Sequence, residues 1–439
     1  MRPGARLPDP FAGEERPVDF GAFVRARSRA GRLVVQPRMG FSDPATMRAG
    51  LAATRAADAT TVGTITVDSF TRVGELASVD TALRSGERLN GYPVVSLPPA
   101  VTAGVLDGIR SEDFPVQVRH GSAVPHDIFA ALGTSLINAT EGGPVSYCLP
   151  YGRTPLGDSV RNWVRCTELF ARMRESGVEP HLETFGGCML GQLCPPGQLV
   201  AISVLEALFF CRYGMRSVSL SYAQQTHPGQ DLEAVAALRR LARELLPTDN
   251  WHVVIYAYMG VYPATEEGCY RLLDEATRLA VASGSERLIV KTVAESVRIP
   301  TIEENVAALE SAARVAEEGV RGTGDVPAVT DSETYREARA LVEGVLVLHP
   351  DIGRALSLAF EQGRLDIPYC LHPDNRGLTR SYIDRDGRLR WADTGRLPID
   401  GRTGDGPARR VTSAGLLADL SHVRRTYDRA VLDPIETSK

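Results

Sequence analysis

RLVVQPRMGFSD, residues 32–43, decides between two α/β folds. RLVVQPR is a β-rich run ending in a charge, and a helical stretch follows around 43–57. In an open, doubly wound sheet, this first strand-to-helix turn usually carries a glycine-rich phosphate-binding fingerprint. QPRMGFSD is not such a fingerprint, so a closed barrel leads. The same rhythm continues down the chain. TTVGTITVDSFTR (60–72), PVQVRHG (115–121), SLINAT (135–140), PHLETFGG (180–187), SVSLSYAQQ (217–225), HVVIYAYMG (252–260) and RLIVKTVAES (287–296) read as further strands. Helical stretches fall near 99–111, 125–133, 157–176, 195–214, 229–246, 265–283 and 302–318. Strands alternating with helices predict a parallel sheet with right-handed crossovers. Eight such units fit a (β/α)8 TIM barrel, an α/β fold, over residues 31–320.

The flanks differ from this core. Residues 1–30 are polar and rich in Arg, Pro and Gly, and read as an N-terminal extension without the apolar core of a secretory signal. Residues 321–439 carry two helical stretches, 337–348 and 355–363, then a Gly-, Pro-, Asp- and Arg-rich part with short strands such as RLRWA (388–392). They read as a C-terminal α+β appendage packed on the barrel.

Composition excludes several classes. The net charge of -5 gives no sign of nucleic-acid binding. No run of about 18 apolar residues is present, so no membrane span is expected. The seven cysteines form no Cys-x-x-Cys pair, which argues against a zinc ribbon or a disulfide framework and for the reduced cytoplasm. Of 49 basic residues only Lys291 and Lys439 are lysine. A lysine kept inside a chain that otherwise uses arginine points to a site needing a primary amine.

In a (β/α)8 barrel the active site lies at the C-terminal strand ends. There the predicted strands place Arg38, Arg72, Arg119 with His120, Glu141, and then Lys291 and Glu295. Three convergent guanidiniums suit a dicarboxylate. Glu141 could pair with a substrate ammonium or act as a base. The turn EGGPVSYCLPY (141–151) adds Tyr147 and Tyr151 from a Pro- and Gly-shaped loop. The segment after strand eight, KTVAESVRIPT, lacks glycine, which favours a carboxylate over a phosphate ligand. No His, Asp or Glu cluster with metal-ligand spacing appears in the sequence.

QPRMGF (36–41), TVDSFTR (66–72), NGYP (90–93), VRHG (118–121), EGGPVSYCLPYG (141–152), YMGVYP (258–263), IVKTVAESVRIPT (289–301) and DIPY (366–369) occur in this order. Together they resemble the large (epsilon) subunit of the glutamate mutase, or methylaspartate mutase, family. The resemblance implies an isomerase that works with adenosylcobalamin and interconverts L-glutamate and L-threo-3-methylaspartate by radical carbon-skeleton rearrangement. It implies that Arg38, Arg72, Arg119 and His120 hold the substrate carboxylates and Glu141 its amino group, with Tyr147 and Tyr151 closing over it. Gly40, Asn90, Pro150, Tyr262 and Ile299 would face the cobalamin, and Lys291 and Glu295 the adenosyl ribose.

Cobalamin modules of this kind carry Asp-x-His-x-x-Gly, and Asp419-Leu-Ser-His422 lacks its spacing. The resemblance therefore implies a separate cobalamin-binding small (sigma) subunit, with two copies of this chain in a heterotetramer. The chain departs from the family pattern at Pro144, where a third glycine is usual, and at Tyr222-Ala-Gln-Gln225, where Tyr-Gly-Glu-Cys is expected. The second departure removes a carboxylate and a thiol from the predicted mouth. Two other readings stand beside the mutase: a cofactor-free lyase or aldolase using Lys291 as a Schiff-base amine, and an inactive barrel acting as a binding partner.

Overall fold

The computed structural model describes residues 18–150, 152–186, 193–295, 297–319, 331–399 and 411–432. Eight parallel strands form one sheet: β1 (Val34–Gln36), β2 (Gly63–Thr66), β3 (Val116–Arg119), β4 (Ala139–Glu141), β5 (His181–Glu183), β6 (Ser217–Ala223), β7 (Trp251–Tyr256) and β8 (Arg287–Ile289). Each of β2 to β7 pairs with the next strand, and β8 pairs with β1. A parallel bridge between Val35 and Thr61 closes the ring between β1 and β2. The expected (β/α)8 barrel is therefore present.

The strands are shorter than the apolar runs that signal them, and this moves several of the predicted site residues off the sheet. TTVGTITVDSFTR ends as a strand at Thr66. Asp68 then caps a short helix, Ser69–Val73, accepting from the N–H groups of Phe70 and Thr71 at 3.0 and 2.9 Å. Arg72 thus sits on that helix and not at a strand end. SLINAT contributes only Ala139 and Thr140 to β4, because Leu136 turns the chain with φ of 51°. Lys291 and Glu295 lie in the loop beyond Ile289, where β8 stops.

Helix Phe20–Arg29 lies within the stretch read as an extension. It buries Phe20, Phe23 and Val24 against Val34, Val62 and Ala139 at the N-terminal end of the barrel. Above Phe20 the interior turns polar. Arg287 is fully buried, with its guanidinium 5.0 Å from the Phe20 ring centre. It donates to Gln36 and to the equally buried Glu183. Glu183 also accepts from Ser219 at 3.0 Å and Gln117 at 3.3 Å.

In the C-terminal part, helices Glu333–Leu346 and Ile352–Gln362 share one continuous core with the barrel helices. The antiparallel pair β9 (Arg380–Ile383) and β10 (Leu389–Asp393) follows. Helix His422–Leu432 is fastened to the barrel by Asp428, which accepts from Ala264 and Thr265 N–H at 3.1 and 3.0 Å.

A buried ion pair contributes little net stability against apolar isosteres, but removing one partner strands the other charge. Arg287→Met should cost about 3–5 kcal/mol, and Arg287→Met with Glu183→Leu should recover at least half of it. The shift in urea-unfolding midpoint reads both. A single-variant loss under about 1 kcal/mol would show that the pair bears no such load.

Candidate active site

Glu141 is the hub of the barrel mouth. It closes β4 and is 1% exposed. Arg119, the last residue of β3, donates to its carboxylate from Nε at 2.7 Å. Tyr147 donates its hydroxyl to the other carboxylate oxygen. The Tyr256 hydroxyl lies 3.1 Å from Glu141 and also reaches Glu183. One hydroxyl hydrogen serves one acceptor at a time, so Tyr256 couples the mouth to the polar layer below. Burial opposes the Arg119 charge, but Glu141 and the two tyrosines outweigh it and hold the guanidinium above its usual range. Arg119 meets Glu141 through Nε, so the end-on pair of terminal nitrogens takes no part in that bond.

His120 follows Arg119 into the same wall. It stacks on Trp163 at 5.7 Å and meets Tyr147 edge-on at 5.3 Å. Burial pushes its imidazole down to about 4, against an opposing pull from Glu141, so it is neutral at pH 7. Nδ1 accepts from Ser122 N–H at 3.0 Å, which assigns the proton to Nε2. Among the described residues that buried Nε2 has no well-aligned acceptor, with the Glu141 carbonyl close enough to raise the ring's pKa, and its N–H suits a carboxylate. Arg72 is half-buried and lies across the missing side chain of Gly121, so it joins this wall from the neighbouring loop.

A second cluster lies across the mouth. Lys291 is 6% exposed, pairs with Glu295 at 3.3 Å, and sits 5.0 Å from the Tyr262 ring centre. Arg38 pairs with the same carboxylate. Burial pushes Lys291 down to about 8; Glu295 opposes this fall and Arg38 adds to it. Although burial alone would raise it, Arg38 and Lys291 hold the Glu295 carboxyl below its usual range. Two concavities meet at Glu295 and Val297. One is lined by Arg38, Gly40, Asn90 and Ile299, the other by Tyr262, Lys291 and Arg424. Their rim is apolar, with Val297 78% and Ile299 51% exposed.

Gly40 is there because a Cβ would fall 2.3 Å from the Thr66 carbonyl, where the loops after β1 and β2 press together. Asn90 accepts from Ser69 N–H at 2.9 Å, which fixes its amide at the concavity.

The structure therefore brings together Arg72, Arg119, His120, Glu141 and Tyr147 in one wall, and Arg38, Gly40, Asn90, Tyr262, Lys291, Glu295 and Ile299 around the two concavities. Arg38 groups with Glu295 and not with Arg119. Pro150 is half-buried at the end of its turn and lines neither concavity. Tyr151 lies outside the described residues. Gln224 and Gln225 are tied to the backbone of neighbouring segments. Gln224 donates to Leu272 carbonyl at 3.2 Å and accepts from Tyr258 N–H at 3.1 Å, and Gln225 donates to Cys194 carbonyl at 2.9 Å.

Sequence reading missed Tyr256, Glu183 and Glu206. The first two sit inside strand runs and are signalled only by being polar in the middle of apolar stretches. Glu206 lies on the buried helix Pro196–Arg212, and the same kind of signal marks it. Among the described residues, no group of three or more His, Cys, Asp or Glu is arranged to hold a metal ion. No helix among them is long and apolar enough to cross a membrane.

Residues 17–419 match the family described as methylaspartate mutase E chain (MutE). The chain is 29% identical to the glutamate mutase epsilon subunit of Yersinia enterocolitica over 350 residues, covering 76% of this chain and 72% of that protein. It is 28% identical to the glutamate mutase epsilon subunit of Treponema denticola over 360 residues, covering 76% and 71%. It is 31% identical to that of Halobacterium salinarum over 359 residues, covering 77% and 72%.

The lysine environment is testable on the isolated chain. Folding lowers the Lys291 pKa, so its buried charge costs stability below about 8, and the cost is relieved as pH rises toward the unfolded value. Trace acetylation followed by mass spectrometry should give Lys291 a labelling midpoint near pH 8. A midpoint near the ordinary lysine value of about 10.4 would overturn this account of its environment.

Proposed function

The chain belongs to the methylaspartate mutase E-chain family, and from that premise we propose that it is the catalytic large subunit of a glutamate mutase. The substrates in this reading are L-glutamate and L-threo-3-methylaspartate. The observation that carries it is the buried Arg119–Glu141 pair at 2.7 Å. A preformed pair of opposite charges complements an amino-acid zwitterion. The substrate ammonium would face Glu141, flanked by Tyr147, and a carboxylate would take the terminal nitrogens of Arg119. His120 Nε2–H and Arg72 would receive the remaining carboxylate oxygens.

Adenosylcobalamin fits the residues present. Among the described residues the buried Tyr262 hydroxyl, beside Lys291, has no hydrogen-bond partner, so a polar group of a ligand can satisfy it. The carboxylate–ammonium pair Glu295–Lys291 suits the hydroxyls of a ribose. Gly40, Asn90 and the apolar rim at Val297 and Ile299 suit a broad, flat ring. Pro150 and Tyr151 keep the roles the family pattern gives them. When bound, the cofactor supplies a carbon-centred radical that removes a substrate hydrogen. The protein's part is to hold the amino acid by its charged ends, orient it toward the Lys291 cluster and keep water away from it.

A cobalamin-binding small (sigma) subunit would bring the cofactor, in a cytoplasmic heterotetramer with two copies of this chain. The unpaired state of the six described cysteines agrees with that compartment. A Schiff-base lyase reading is favoured by one observation, the Lys291 amine pushed down to about 8. It needs no cobalamin, and borohydride with an oxo-acid substrate would trap it.

Turnover is expected when the chain is mixed with a cobalamin-binding small subunit and adenosylcobalamin and supplied with either amino acid, followed by NMR. The chain alone should be inactive, and turnover without the small subunit would overturn the partner assignment. In the reconstituted enzyme, Glu141→Gln should lower kcat/KM about 10²-fold or more, because it leaves a buried guanidinium unpaired and removes the ammonium's counter-charge. An unchanged kcat/KM would remove Glu141 from the site.

A further inference from the structure

We propose that Glu206, which contacts none of the mouth residues through its carboxylate, positions Tyr147 and Glu141 by clamping the main chain of the turn between them. The inference rests on the reading that Tyr147 and Glu141 meet the substrate.

Glu206 lies in helix Pro196–Arg212, which is buried along most of its length and almost wholly apolar. A fully buried carboxylate there is costly unless it is bonded. Its Oε1 accepts two consecutive main-chain N–H groups, from Val145 at 3.0 Å and Ser146 at 2.9 Å. Successive N–H groups converging on one oxygen form an anion-binding concavity, and here a side chain of the same protein fills it. The fit has no slack. A Cβ at residue 143 would lie 2.1 Å from the Glu206 carboxylate, so glycine alone lets the turn settle on it.

From a different helix, Ser159 Oγ donates to Pro144 carbonyl at 2.9 Å. The turn is thus held from behind through both its N–H and C=O groups. In front it presents Tyr147, whose hydroxyl donates to Glu141. Tyr147 N–H in turn bonds Gly143 carbonyl at 3.2 Å, so the glycine seated on Glu206 and the tyrosine move as one unit. Glu206 acts in this arrangement as an acceptor of two N–H groups. Its second oxygen is buried without a well-aligned bond, with the Ser146 hydroxyl and the Phe185 N–H close enough to favour the carboxylate. An amide in its place keeps the acceptor.

The test compares three variants by two readouts. On the chain alone, hydrogen exchange of the Val145 and Ser146 amides should be at least about tenfold faster in Glu206→Ala than in wild type, and near wild type in Glu206→Gln. In the reconstituted enzyme, Glu206→Ala should lose about 10²-fold in kcat/KM, as misplacement by about 1 Å does, while Glu206→Gln stays within about threefold. Gly143→Ala lifts the turn off an intact carboxylate and should reproduce the alanine loss, which keeps the test alive if Glu206→Ala does not fold.

Wild-type exchange and wild-type kcat/KM in Glu206→Ala or Gly143→Ala would overturn the clamp. A Glu206→Gln loss as large as that of Glu206→Ala would overturn it too, in favour of a role for the charge. If the wild-type enzyme turns over neither amino acid, the functional reading fails, and the exchange rates still decide whether the turn is clamped.

Discussion

A carboxylate buried in a barrel must find its hydrogen bonds within the barrel, and this one buries two in line. Glu183 lies low, bonded by Arg287, Ser219 and Gln117. Glu141 lies at the mouth, bonded by Arg119 and Tyr147. Tyr256 stands between them with one hydroxyl within reach of both. Phe20, brought in from helix Phe20–Arg29, seals the column below Arg287. The interior that other (β/α)8 barrels fill with branched apolar side chains is here a continuous polar stack. Its effect is to hold Glu141 oriented and dry.

The mouth then divides by charge. On one side Arg119, Arg72 and the neutral His120 surround Glu141 and form a wall for a compact, doubly charged molecule. On the other, Lys291, Glu295 and Arg38 form a separate network between two concavities with an apolar rim. In the proposed function the two sides would take different ligands, an amino acid and a broad ring bearing a sugar. Their separation explains why Arg38 binds Glu295 and leaves Arg119 to Glu141. Each side sets two cations against one carboxylate, so an anionic group can enter by exchanging partners.

Much of this was legible in the chain. Alternating apolar runs and helical stretches predicted the barrel, and the charges closing those runs marked most of the mouth. The isolated Lys291 in an arginine-using sequence marked the second cluster. What failed was detail at the strand ends. Arg72 looked like a strand terminus because TTVGTITVDSFTR is β-rich throughout, but Asp68 caps a helix inside it. The glutamines at 224 and 225 looked like changes to the mouth, and both amide NH2 groups bond backbone carbonyls of neighbouring segments. Glu206 drew no notice, since a lone acid in a helical run reads as a solvated face until the helix is known to be buried.

The order of the elements and the dispersed motifs of a mutase large subunit were properties of the sequence alone, because hydrophobic period and turn chemistry are local. The pairing of each charge was not. Arg119 with Glu141, Arg38 with Glu295, Arg287 with Glu183, and Glu206 with the backbone of residues 145 and 146 join positions from 22 to 257 residues apart. Only barrel closure sets those distances. In a dry interior, a buried charge must bond to whatever polar group the packing brings within reach.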